Sequence, residues 1–272
     1  MHGVASTGSR RRGVTVNSGN LAEVLITTIR DQVAEAKTAT GYWTPLVRFA
    51  AADDPRFLEL RRVVDPSHML PDDLLPGARS VVAFFLPFAR WVVEANTKHA
   101  EQVAPEWATA YLETNELIGQ INARLIERLA KQGIRAAAQP ATHNFDPVTL
   151  VSRWAHKSVA VIAGLGSFGL HQMVITDAGC AGRFGSLVLD AELPLMSVEP
   201  KQRCLYFHDG SCLECVQRCP VGALDPSRPL DKQLCRRHQK TVAQKYGVVT
   251  PADVCGKCAI GPCSFESAVQ PT

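Results

Sequence analysis

The nine cysteines of this 272-residue chain are unevenly placed: the first 179 residues have none, Cys180 stands alone, and the other eight fall between Cys204 and Cys263. A secreted disulfide scaffold is usually short and spreads its bridges through the fold they staple. Here about two-thirds of the chain would hold no bridge. Arg10, Arg11 and Arg12 occur near the N-terminus, but Val14 to Asn20 is too polar for the apolar segment of an export signal. The distribution predicts a cytoplasmic chain, in which clustered thiols serve as metal ligands.

Spacing narrows the metal. The segment reads Cys204-x7-Cys212-x2-Cys215-x3-Cys219-Pro220, then Cys235-x19-Cys255-x2-Cys258-x4-Cys263. In the bacterial ferredoxin run C-x2-C-x2-C-x3-C-P the fourth cysteine ligates the other cluster of a pair. The last three cysteines and the proline of that run are present. Its first position falls on Asp209, so Cys204 has to supply that ligand across a longer loop. Eight thiolates suit two [4Fe–4S] clusters. The crossed rule gives one cluster to Cys204, Cys212, Cys215 and Cys263, and the other to Cys219, Cys235, Cys255 and Cys258. A zinc ribbon also has two C-x2-C pairs. The number of ligands and the Cys219-Pro220 ending count against zinc. Ser264 in place of proline makes Cys263 the ligand furthest from the pattern.

The rest of the chain reads as a globular layer structure. A 46% hydrophobic and 20% charged composition excludes wholesale disorder. No apolar run approaches the ~20 residues that span a bilayer, so no membrane role is expected. A net charge of +3 gives no reason to expect nucleic acid. Asn20 is placed to cap a helix through Leu21, Val24, Leu25, Ile29 and Val33. Ser80 to Leu86 reads as a strand covered on both faces, and shorter strands are expected at 159–163 and 186–189. Residues 106–132 form the clearest helix, stopped by Gly133. The order predicts a leader over 1–20 and an α/β (α+β) domain over 21–200. Pro194 and Pro200 bracket a linker to a small ferredoxin-like domain over 201–272.

Gly164, Gly166 and Gly169 satisfy G-x-G-x-x-G, with Asp190 further on. The turn residues between Leu170 and Gly185 leave little helix to seat a pyrophosphate. A glycine turn allowing close approach of a flat or bulky cofactor is the stronger reading, with a flavin- or NAD-dependent reductase as a competitor. His143, Asp146 and His156 lie just upstream and are candidate proton donors. Each also has a plain structural role: a loop residue, a turn residue before Pro147, and a bridging residue near Lys157. Arg183 is placed either against a cofactor phosphate or amide, or in a salt bridge. Cys180 reads as a contact or a small buried filler.

Taken together, Asp73 to Val82, Ala163-Gly164-Leu165-Gly166-x-x-Gly169 and the eight cysteines resemble the epoxyqueuosine reductase and reductive dehalogenase superfamily. The resemblance covers about residues 70–265. It implies a nitroreductase-like domain that binds cobalamin beside the glycine turn, and a two-cluster module that feeds it electrons. It also implies an external donor of ferredoxin or flavodoxin type, and a small-molecule or modified-nucleoside substrate. The chain departs from the pattern at Leu150, where the family's acidic donor falls without gaps; Asp146 serves only across a longer loop. Family members that act on tRNA continue into helical repeats, whereas this sequence stops at Thr272, so nucleic acid is a doubtful partner. An electron carrier for a partner's corrinoid, without a substrate of its own, is the alternative.

Overall fold

The computed structural model of the chain describes residues 18–99, 102–195, 201–246 and 252–269. Most of the expected leader, and Pro200 of the linker, lie outside the described residues.

The fold is organised by β2 (Ser80–Pro87), in which all eight residues are buried. It is flanked by β1 (Leu46–Ala51) and β6 (Gly182–Leu189), and β3 (Ala136–Ala137) adds to the far side of β6. All pairs are antiparallel, giving the order β1-β2-β6-β3. Successive side chains of a strand point to opposite faces, and β2 is apolar on both. Val82, Phe84 and Leu86 pack with residues of α1 (Ser18–Ala34) and α5 (Pro105–Ala130). Val81, Ala83 and Phe85 pack on the other face with residues of α2 (Pro55–Val63) and α6 (His156–Ile162). The result is a sheet between two helical layers, with α3 (Pro71–Leu74) and α4 (Arg90–Thr97) at its margins.

The expected helix over 106–132 is α5, opened by Pro105 at its first turn and followed by Gly133 at φ 74°. Asn20 lies inside α1 rather than capping it, because the helix is already formed at Ser18. The strand expected at 159–163 is a correction: this run is α6. Seven residues buried on most sides show no period that distinguishes a helix from a buried strand. Gly164, at φ +80°, ends α6, with Leu165 N–H donating to Ala160 O at 2.9 Å and Gly164 N–H to Val161 O at 3.0 Å. That left-handed ending is a Schellman cap, which needs a residue without a Cβ.

The chain then makes a hairpin, β4 (Gly166–Phe168) with β5 (Val174–Thr176), before entering β6. The cysteine segment has little regular structure: α7 (Leu205–Asp209), α8 (Glu214–Gln217), α9 (Lys232–Tyr246) and one 3-10 turn at Lys257–Ala259. It packs directly on the layered part. Phe88, Val92 and Trp107 share an apolar cluster with Val242, Ala259 and Ile260. Cys180 N–H also donates to Cys263 O at 2.9 Å, and Ala181 N–H to Ser264 O at 3.1 Å. Among the described residues, no helix is long and apolar enough to cross a membrane.

Candidate metal centre and adjoining pocket

Short loops, single turns of helix and, for Cys235, the first turns of α9 carry the eight cysteines, and none of the nine is in a disulfide. They form two adjoining neighbourhoods. The Cys215 thiol is pushed up to about 12 by burial, and then by the nearby Cys263, Cys204 and Cys212. A cavity lies between these four, with His171 and Cys258 also on its wall. In the second neighbourhood, burial followed by Cys235 and Cys219 pushes Cys255 up to about 11. Cys258 is also raised, by burial and then by Cys255 and Cys235. Cys215 also acts on Cys258, so the two neighbourhoods meet there. Thiols raised in this way do not ionise unaided; a bound cation reverses the balance. The donor set therefore fits thiolate-ligated iron.

Backbone and side-chain donors already point at the sulfurs. Ala223 N–H donates to Cys219 Sγ at 3.2 Å. His171, only 4% exposed, accepts the Met173 N–H at Nδ1 (3.1 Å), so the proton of its neutral ring sits on Nε2. That Nε2 lies 3.3 Å from Cys263 Sγ. Cys180, fully buried, has its Sγ 3.7 Å from the same sulfur. Hydrogen bonding from Cys180 is the main reason the Cys263 thiol is lowered, with His171 adding to it.

A polar side-chain cluster adjoins the second set, with Asp253 two residues before Cys255 and Arg236 next to Cys235. Arg183, at the start of β6, stacks over the Tyr111 ring at 4.5 Å. Its Nε is buried without a hydrogen-bond partner. Burial raises the Tyr111 phenol, against the opposing effect of Arg183. Tyr111 Oη donates to Asp253 Oδ1 at 2.5 Å, and His143 Nε2 lies 3.0 Å from Asp253 Oδ2. Arg236 also donates to Oδ2, while its guanidinium lies 5.3 Å from the Phe145 ring centroid. Burial pushes the Asp253 carboxyl up, but Tyr111, Arg236 and His143 together hold it below its usual value. Lys157 stands between this pocket and the second set. Its Nζ donates to Gln172 O at 2.8 Å and feels the Cys258 and Cys235 thiols.

The expected site residues separate accordingly. His143 joins the pocket through Asp253. His156 corrects the expectation of a proton donor. Its Nε2 must donate to Pro140 O (2.9 Å), and its Nδ1 faces the Ser186 hydroxyl (2.8 Å), which also accepts from Trp154 Nε1 (2.9 Å). Both nitrogens are occupied, and burial depresses the ring to about 4, so it is a neutral clamp. Asp146 is exposed and accepts from Val148 N–H, Thr149 N–H and Thr149 Oγ1, a turn that lowers its carboxyl. Its side-chain hydrogen bonds go to Val148 and Thr149 of its own turn. Gly164 is the cap of α6. At Gly166 a Cβ would lie 2.1 Å from Ile175 O, and at Gly169 it would lie 2.7 Å from the His171 ring. These close approaches are made by the chain itself. The G-x-G-x-x-G run follows a helix and leads into a hairpin, the reverse of a dinucleotide fold's strand-then-helix context. Tyr111, Asp253, Arg236, His171 and Lys257 were missed. Their only signal is partners up to 161 positions away.

A sheet between helical layers joined to a cysteine-rich module is the fold this chain shares with solved epoxyqueuosine reductases and reductive dehalogenases. Epoxyqueuosine reductases supply the sequence likeness. That of Bacillus cereus is 26% identical over 171 residues, covering 61% of this chain and 41% of that protein. That of Yersinia pestis is 31% identical over 103 residues, covering 36% of this chain and 24% of the relative. No family model matches. The chain spans about two-fifths of the length of the Bacillus relative.

Among solved structures, a selenomethionine-labelled epoxyqueuosine reductase shares the fold with a TM-score of 0.58 at 19% identity, over 90% of this chain and 66% of that one. An epoxyqueuosine reductase with an epoxyqueuosine-modified tRNA-Tyr stem loop gives 0.55 at 20% identity, over 90% and 65%. A catabolic reductive dehalogenase in complex with 3-bromo-4-hydroxybenzoic acid gives 0.56 at 15% identity, over 94% and 34%.

Proposed function

We propose that the chain is an iron–sulfur reductase of the epoxyqueuosine reductase type. In this reading it passes low-potential electrons through two [4Fe–4S] clusters to a cobalamin held against the layered domain. The observation that supports the reading is the gathering of eight regularly spaced cysteines into two adjoining neighbourhoods, one of them beside the Arg183 cluster. The clusters would supply one-electron transfer, and a corrinoid would supply a cobalt centre able to deliver electrons to a substrate. The domain division at about residue 200 belongs to the same proposal, as does residence in the reducing cytoplasm.

The chain's own residues have definable tasks. Cys204, Cys212, Cys215 and Cys263 hold one cluster; Cys219, Cys235, Cys255 and Cys258 hold the other. The cluster fits a cofactor in one observable respect, because the buried Arg183 Nε has no partner among the described residues and would be satisfied by a phosphate or amide oxygen. Tyr111, Asp253 and His143 form a proton route. His143 is 43% exposed at its side chain, Asp253 5%, and Tyr111 lies under the Arg183 guanidinium. Water can thus recharge the phenol through His143 and Asp253. The substrate class is a small molecule or a modified nucleoside, and the electron source a ferredoxin- or flavodoxin-type donor.

Addition of cobalamin to the anaerobically reconstituted protein tests the cofactor assignment. A shifted corrinoid spectrum that is lost in Arg183→Leu supports it. An unchanged spectrum at saturating protein would favour the reading as an electron carrier for a partner's corrinoid.

A further inference from the structure

Lys257 lies inside the Cys255-Gly256-Lys257-Cys258 turn and is 1% exposed. Its Nζ donates to Asn96 O (2.6 Å), Asn96 Oδ1 (2.9 Å) and His99 O (2.6 Å). All three are neutral oxygens. The nearest acidic residue in sequence, Asp253, is engaged with Arg236, His143 and Tyr111. Among the described residues no carboxylate forms an ion pair with Lys257. Asn96, itself 0% exposed, is fixed in turn: its Nδ2 donates to Cys255 O at 3.1 Å, and its Oδ1 accepts the Ala104 N–H at 3.1 Å.

A buried ammonium without a counter-charge is costly. The other charged groups near it do not relieve that cost. Arg218 is a cation, paired with Glu214 at 2.9 Å. His238 is also close, and its Nε2 is buried without a partner.

We infer that Lys257 is the built-in counter-cation of the cluster held by Cys219, Cys235, Cys255 and Cys258, and makes it the more easily reduced of the pair. The inference rests on the two-cluster reading. A cluster with four thiolate ligands is a net anion and gains one further negative charge on reduction. A fixed cation in a dry site favours the reduced form more than the oxidised one. Lys157 adds to the same side, since it faces the Cys258 and Cys235 thiols. The first cluster has a different device, the neutral N–H of His171 on Cys263. The electron from the external one-electron donor therefore enters at the first cluster and moves to the second. One cluster is oxidised as the other is reduced, and no bond is broken. The second cluster is the one beside the Arg183 pocket, so the polarity directs charge toward the site of reduction.

The test is a redox titration of the anaerobically reconstituted full chain, followed by electron paramagnetic resonance, with the two signals assigned through a Cys219→Ala variant. Iron content comes first: about eight per wild-type chain upholds the two-cluster reading, and fewer would fail that reading rather than the role of Lys257. With both clusters present, K257Q keeps hydrogen-bond donors but removes the charge. The second cluster's midpoint should move to a more negative potential while the first stays in place, and K257R should restore it. Two unmoved midpoints in K257Q would overturn the inference. If K257Q loses the second cluster and K257R retains it, the charge requirement stands. If both lose it, Lys257 acts through shape and the inference falls.

Discussion

His143 Nε2 lies 3.0 Å from Asp253 Oδ2, joining a loop of the layered domain to the cysteine segment 110 positions later. Tyr111 of α5 and Arg236 of α9 meet on the same carboxylate. One acidic side chain therefore ties three parts of the chain together at the edge of the pocket.

Asp253→Asn should destabilise the fold by about 3 kcal/mol, the scale for removing one partner of a buried ion pair. The Asp253 carboxyl is held below its ordinary value in the folded chain, against 3.8 in the reference state. Its contribution is therefore complete above about pH 4 and lost as pH falls through the folded value. Urea unfolding across pH 3 to 7 should show a steeper acid loss for wild type than for the variant. Parallel curves would remove Asp253 from that role. Tyr111→Phe should lower turnover while sparing both clusters.

His156 gives a test of the same sign in a higher pH window. A ring depressed from 6.5 to about 4 stays neutral in the fold while the unfolded chain takes up a proton. Stability is fully present above about pH 6.5 and declines as pH falls toward 4, by roughly 3 kcal/mol for a shift of that size. His156→Asn should lose this slope. Retention of the slope in the variant would assign it to another group.

Gly164→Ala places a Cβ at φ +80° and should cost about 1 kcal/mol in unfolding free energy. Cluster content should be unchanged. A loss of cobalamin binding at unaltered stability would instead return Gly164 to the cofactor site.

Crossing of the ligands predicts that Cys219→Ala damages the cluster held by Cys235, Cys255 and Cys258. The signal of the cluster held by Cys212 and Cys215 should survive in the reduced variant. Selective loss of that other signal would sink the crossed assignment.

Where the sequence speaks, it does so through local pattern. Ser80 to Pro87 is apolar at every position but its ends, so a central strand follows from the run itself. The cysteines are legible because a cluster requires close, repeated spacing. Residues 159–163 read as a strand although 159–162 lie in α6, because a seven-residue helix is too short for its periodicity to show. Lys257 resembles any loop lysine until Asn96 and His99 are folded onto it from about 160 positions away. The same holds for His171, whose partner Cys263 is 92 positions distant. Candidate ligands are legible in spacing; the groups packed against them are legible only in tertiary contacts.

Iron and acid-labile sulfide analysis of the anaerobically purified chain tests the central claim most directly. About eight of each per chain, with a broad absorbance near ~400 nm that bleaches on reduction, is the expected result. Bound zinc without sulfide would contradict it.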